Sequence, residues 1–304
     1  MNAARLLRRT VAIGALGAIS VVYSEALFWA RWRPDDSVGG YLVTWAAYSL
    51  VAYLTLTAIE HFGVRGVLGI ALAGAVFGWL VEGAVAVTLY EDLPWSISWT
   101  PLAWHGLFTV VFGWFLVPRA LAAWPLRRLV RWSVLVGAVW GIWAITWRAQ
   151  DGSWTPISSF GFFAFGAAAV LVLGYVLWQR VYVPVRPQRW LVLAATTLLA
   201  LAAAIQVGAI VVVLPVLVGV VVVVMKTGQG KFDGSELVPE EPIRPSALTA
   251  PPIAAATALV VYAALQSANV VSNTAAVFYL LTMPGGFVVL IAAISRVLKG
   301  MKVP

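Results

Sequence analysis

Ala, Val, Leu, Ile, Gly and Trp fill long runs of this chain, and charged or turn-forming residues are confined to short breaks between them. The runs fall at roughly 10–30, 41–60, 66–90, 100–118, 132–148, 159–179, 190–206, 209–225, 252–268 and 275–295. Most approach or exceed the ~18–20 residues that an α-helix needs to cross a bilayer. The pattern predicts an all-α, polytopic helical integral membrane protein with about 10 transmembrane helices. A transmembrane barrel would instead show repeated ~10-residue alternating segments, and "AVAVTLY" is an isolated example.

The count turns on residues 190–225, 36 residues with almost no break. One helix of that length would extend ~54 Å across a hydrocarbon core of ~30 Å. Two helices are short, with Gln206 and Gly208 at the one site suited to a turn. Charge separates the two arrangements. With the turn, and with Arg5, Arg8 and Arg9 inside, the inner segments hold 17 of the 20 basic residues. These are Arg5, Arg8, Arg9, Arg65, Arg119, Arg127, Arg128, Arg131, Arg180, Arg186, Arg189, Lys226, Lys231, Arg244, Arg296, Lys299 and Lys302. Only Arg31, Arg33 and Arg148 stay outside; without the turn the count falls to 11 against 9. Basic residues collect on the cytoplasmic side of multispanning proteins, so the sequence predicts both termini in the cytoplasm. The same rule accounts for the net charge of +8 without a nucleic-acid partner.

Composition adds two exclusions. With 11% charged residues against 62% hydrophobic ones, the chain cannot solvate a globule, which carries roughly 25% charge. With no cysteine, disulfides, thiolate ligands and thiol nucleophiles are ruled out. The start, "MNAARLLRRT" followed by "VAIGALGAISVVYSEALFWA", has the basic and apolar regions of a signal peptide, but its apolar run is long and no A-x-A site follows. It reads as a retained first membrane helix.

Tryptophan draws a boundary that hydropathy does not. All 16 lie between Trp29 and Trp190, and both histidines precede residue 106. The chain therefore divides into a Trp-rich membrane portion, 1–190, of about six spans; a Val-rich helical pair, 191–225; a linker, 226–251; and a C-terminal two-helix portion, 252–304. The Gly-, Pro- and Ser-rich linker reads as flexible and cytoplasmic. Its "GQGK" lacks the remainder of a phosphate-binding loop.

Ionisable residues inside spans are costly, and they pair, face the bundle interior or line a path. At 1.5 Å per residue, Glu25 sits ~8 Å, Glu82 ~12 Å and His105 ~6 Å below the outer boundary. Spans three and four are joined by a short loop, so Glu82 and His105 are expected to face each other, with Glu25 close enough to join. These three are the candidates for proton coupling or acid–base chemistry, since a His beside a carboxylate exchanges protons near neutral pH. Above them lie Asp35, Asp36, Glu91 and Asp92, with Trp29, Trp32, Trp95, Trp99 and Trp104 in the same zone; Trp79 is a further aromatic candidate for substrate binding. An acidic vestibule with aromatic walls suits a cation or an amphiphile. Interfacial tryptophans occur whatever the function, and Asp35 and Asp36 have Arg31 and Arg33 as partners at hand. Glu60, next to His61 at the inner end of span two, is expected to pair with Arg65. Two histidines at opposite membrane faces exclude a bis-His haem, and His105 with two carboxylates is a sparse metal set. No cofactor is implied, and the metal is unknown.

There is no H-E-x-x-H or G-x-S-x-G motif. The favoured expectation is a small proton-coupled secondary transporter of a cationic or amphiphilic solute in the cell membrane, because many spans, tiny loops and a buried acid–His group fit that class. In topology and size the chain resembles the drug/metabolite transporter superfamily over its whole length, which implies a solute carrier. The alternative is a membrane-embedded enzyme modifying a lipid or isoprenoid at the outer leaflet with Glu82 and His105. The order Glu82, Pro94, Ile97, "PLAW" loosely resembles integral-membrane carotenoid-modifying proteins, which implies such an activity. A noncatalytic subunit is the third expectation, from the featureless last four spans.

Overall fold

The computed structural model describes residues 3–184 and 188–304. Arg186, counted above among the inner basic residues, lies outside the described residues. Among these residues the fold is all-helical, with nine helical runs long and apolar enough to cross a membrane. They are α1 (Ala3–Trp29), α2 (Val38–Phe62), α3 (Gly66–Val85), α4 (Trp95–Ala123), α5 (Leu126–Asp151), α6 (Ile157–Val181), α7 (Arg189–Thr227), α8 (Pro245–Ser267) and α9 (Thr274–Leu298). This is the architecture of a multi-pass membrane protein.

Residues 189–227, expected as two spans, form one of the nine runs because no loop interrupts them, yet they comprise two α-helices, Arg189–Val207 and Val213–Thr227, parted at the Gly208 where the sequence places its turn. The run is broken at Gly208, whose φ of 64° and ψ of −140° lie in territory open mainly to glycine. Beyond the break a short 3₁₀ turn, Gly208–Val212, leads into Val213–Thr227. That second half lies along α3: Leu214 packs on Gly83 near one end, and Gly228 packs on Phe232, which also covers Gly69 near the other.

The two ends of the bundle differ. At one end, here the strap end, Arg8 donates to the Arg180 carbonyl and Phe232 bridges to Val303, which places both described termini at this end. Residues 228–249, within the 226–251 expected as a flexible linker, are tied down there. Arg65 pairs with Glu236 at 2.6 Å rather than with Glu60. Glu60 accepts from the Tyr182 hydroxyl at 2.5 Å, and burial together with that carboxylate holds the phenol above its usual range. Arg119 reaches the Leu237 carbonyl, and Gln179 bonds both Glu241 and Ile243. Gly–Pro–Ser composition concealed this anchoring because the few apolar residues, Phe232, Leu237 and Ala247, are the ones buried.

This clasp yields a paired prediction. Lys302 and Asp233 form an exposed ion pair, of a kind that contributes little, so Lys302→Ala should leave the strap unchanged. Val303 is fully buried, and Val303→Ala should loosen it by about 1–3 kcal/mol. Faster protease cleavage within 228–249 in the second variant alone is the expected readout.

Candidate functional site

The opposite end of the bundle holds the loops 30–37 and 86–94, and between them opens a cavity of about 780 Å³. Three segments that bring polar side chains to it share an uncommon backbone. Val22–Ala26 in α1, Val81–Val85 in α3 and Pro101–Leu116 in α4 are wound with i→i+5 hydrogen bonds. Examples are Ala86 N–H to the Val81 carbonyl at 2.9 Å and His105 N–H to Thr100 at 2.9 Å. Such π-turns are rare and recur at functional sites. Here they carry Ser24 and Glu25, then Glu82, then His105 and Thr109.

The π-turn in α1 is held from outside. A helix end leaves its last carbonyls without partners, and α1 ends at Ala30 in the left-handed region. Trp140 and Trp143 of α5 donate to the Leu27 and Phe28 carbonyls, at 3.1 and 2.5 Å. Trp104 donates to Tyr23 at 2.9 Å. Several tryptophans that hydropathy assigns to an interfacial belt are thus the caps that fix Ser24 and Glu25 in place.

Glu82 and His105 are brought together at the cavity floor, 5% and 4% exposed. His105 Nε2 lies 2.7 Å from Glu82 Oε1, and the other carboxylate oxygen accepts from the Thr88 hydroxyl. His105 Nδ1 lies 2.9 Å from Ser24 Oγ, which lies 2.8 Å from Thr109 Oγ1. Backbone contact fixes the two helices that carry the pair. A Cβ on Gly78 would come within 1.9 Å of the Pro101 carbonyl oxygen, and one on Gly74 within 2.7 Å of the Gly106 oxygen. Small residues permit this approach between membrane helices.

Glu25 lines the same cavity but does not join the pair by a hydrogen bond. It accepts from Tyr48 at 2.5 Å and from the Trp29 indole at 3.1 Å. The Tyr48 ring stands 6.1 Å from the His105 ring. Among the described residues no group of three or more His, Asp and Glu is placed to hold a metal ion, so the His105, Glu25 and Glu82 set is not gathered into one.

Glu91, Asp92, Trp29, Trp95, Trp99 and Trp104 line the cavity as well. Asp35, Asp36 and Trp79 do not. Asp35 is exposed; Asp36 is taken up by Arg33, whose guanidinium approaches to 2.8 Å; and Trp79 donates to the Ile97 carbonyl. Arg31 pairs with Asp151 instead of the aspartates beside it. Burial works against the charge on Arg33, but its hydrogen bonds to Asp36 together with the negative charges of Asp36 and Glu25 outweigh that and hold its proton more tightly than usual. Its guanidinium lies 4.3 Å above the Trp29 ring, so the protein's own cation covers one aromatic face of the mouth. Burial also raises the Tyr90 phenol, whose hydroxyl donates to the Gly83 carbonyl.

Beyond the pair, away from the mouth, the bundle is packed with rings. Phe77 and Trp114, both fully buried, meet edge to face at 5.0 Å. Tyr175 bonds Tyr23 and the Gly113 carbonyl at 2.9 and 2.7 Å. Ser24, Thr109, Thr88, Tyr48 and Phe28 were not singled out by the sequence, and Arg33 was expected only as a partner for the aspartates. Hydroxyl residues are ordinary in membrane helices; Ser24 and Thr109 sit in π-wound segments, whereas Thr88 and Tyr48 reach the carboxylates from a 3₁₀ turn and a regular α-helix.

Fold and site together define a multi-pass membrane protein with an enclosed polar centre reached from one end. Compared with protein-family models, curated proteins and solved structures, the chain has no match.

Proposed function

We propose that the protein is a membrane enzyme in which Glu82 and His105 act as general acid and base on an amphiphilic substrate, a lipid or isoprenoid. The observation that supports this most directly is the rigidity of the pair. Backbone contact at Gly78–Pro101 and Gly74–Gly106 fixes the helices, and a preorganised acid–base pair is what catalysis requires. The carboxylate on Nε2 orients the imidazole and stabilises it when protonated, as the acid does in a catalytic triad. The indole faces accommodate an apolar chain, and Glu91 and Asp92 at the rim suit a polar or cationic head. In this reading the mouth faces outward in the cell membrane, with both termini cytoplasmic, following the distribution of basic residues.

Purified protein in micelles is incubated with extracted membrane lipids, and the mixture is resolved by mass spectrometry. Conversion of one lipid species by the wild type is expected. Glu82→Gln should lower the rate by about 10²–10⁴-fold while unfolding at nearly the same temperature. Turnover unaffected by this change would remove Glu82 from the chemistry.

A proton-coupled transporter of a cationic or amphiphilic solute is the second reading. It is favoured by the π-turns in α1, α3 and α4, places where a helix can shift register. Solute flux driven by a proton gradient in proteoliposomes, lost in Glu82→Gln, with no lipid converted, would establish it in place of the enzyme.

A further inference from the structure

We infer that Ser24 and Thr109 form a hydroxyl switch through which His105 exchanges protons with whatever occupies the cavity. The inference rests on the acid–base reading above. It starts from a geometric fact: both ring nitrogens of His105 are engaged by the protein, Nε2 by Glu82 and Nδ1 by Ser24. Neither nitrogen is free to touch an occupant, so a proton reaching the imidazole passes through one of these two neighbours. Glu82 lines the cavity, but its far oxygen is already held by Thr88 and its near one by the imidazole. Ser24 lines the cavity and has a second hydroxyl behind it, that of Thr109.

A hydroxyl donates one hydrogen bond and accepts others, and it exchanges these roles by rotating. With His105 neutral, Nε2–H donates to Glu82, the Ser24 O–H donates to the Nδ1 lone pair, and the Thr109 O–H donates to Ser24. With His105 protonated, Nδ1–H donates to Ser24, whose own O–H turns to Thr109. The Thr109 proton then turns to a helix carbonyl, a bond open to threonine within a helix. In both states the imidazole and Ser24 keep their partners, although Ser24 is 3% and Thr109 0% exposed. Unpaired buried polar atoms would otherwise hold His105 in one state.

The transfer balances. An occupant O–H bond breaks as its proton goes to the Ser24 oxygen. The former Ser24 O–H bond breaks as that proton goes to Nδ1, and the electron pair of the occupant O–H bond stays on the occupant oxygen. Ser24 ends unchanged, and the charge gained by the imidazole faces Glu82. The other groups around the centre are Glu25 with Tyr48 from α2, Phe77 from α3, Thr100 on the cavity wall and Tyr279 from α9, stacked on Trp99 of that wall. Arg33 stands at the mouth, held by Asp36.

The experiment reads the imidazole itself. Protein with ¹⁵N-labelled histidine in lipid nanodiscs is titrated by NMR, in a His61→Gln background that leaves His105 as the one histidine. Hydrogen bonds to charged groups are roughly twice as strong as neutral ones, so losing Ser24 penalises the protonated form more. Ser24→Ala should therefore lower the proton affinity of His105 about tenfold. Ser24→Thr, which restores the hydroxyl, should restore the affinity, and Thr109→Val should move it in the same direction as Ser24→Ala. A Ser24→Ala protein that folds and titrates like the wild type would overturn the switch. So would a wild type whose His105 does not titrate while the protein stays folded. No substrate is present, so a failure to find turnover leaves this result standing, and the reverse also holds.

Discussion

His105→Ala should be the most damaging single substitution at the cavity floor, lowering stability by about 3–5 kcal/mol. The cost arises from what is left behind. Glu82 is 5% exposed, and without the imidazole its Oε1 faces an apolar hole, while Ser24 loses its partner on the same side. Removing one member of a buried ionic or charge-assisted pair strands the other, which is much worse than removing both. Glu82→Gln keeps the shape and a hydrogen-bonding oxygen, so its cost should be about 1 kcal/mol. The double variant His105→Ala/Glu82→Gln should be more stable than His105→Ala alone, with a coupling of about 0.5–3 kcal/mol. Denaturant unfolding in mixed micelles gives all four values. A His105→Ala cost near that of Glu82→Gln would mean that cavity water solvates Glu82 freely, and the enclosed centre would have to be abandoned.

Gly78→Ala is the second large effect, and it acts at a distance from any charge. The added Cβ would stand 1.9 Å from the Pro101 carbonyl oxygen and 2.6 Å from its carbon. Both are backbone atoms, so no side chain can swing aside. The helices α3 and α4 must part, and overpacking of this kind costs about 1–3 kcal/mol, occasionally more; the absence of any flexible neighbour places this site at the upper end. Parting the helices also lengthens the 2.7 Å contact between Glu82 and His105, since both lie one turn from the close approach. The expected result is a lower unfolding temperature together with loss of the hydrogen-bonded imidazole signal of His105. Gly166→Ala is the control, because a Cβ there meets nothing within 4 Å. Equal behaviour of the two variants would refute the close approach.

The helical membrane architecture and most of the span limits were legible because both follow from apolar length alone. The meeting of Glu82 with His105 was legible too, since a short loop makes α3 and α4 neighbours and ionisable groups in spans seek one another. Depth was harder. The estimate of 1.5 Å per residue assumes a regular α-helix, and the π-turns in α1, α3 and α4 break that assumption at the residues that matter. Glu25, expected close to the pair, lines the cavity with it, but its carboxylate bonds Tyr48 and Trp29 rather than the imidazole. Ser24 and Thr109 carry no signal in composition, because a helical serine or threonine usually bonds its own backbone. The tryptophans misled in the other direction. Tryptophan is ordinarily a belt residue, yet the indoles of Trp79, Trp140 and Trp143 each seal a particular carbonyl.

The layer of rings beyond the pair has an electrical consequence. Phe77 and Trp114, both fully buried, stand beyond His105 toward the strap end, so a proton taken up at the imidazole should leave by the mouth through which it came. In the enzyme reading no net charge then crosses the bilayer in a catalytic cycle. The turnover rate should be indifferent to the membrane voltage, and the protein should conduct no protons when that voltage is imposed.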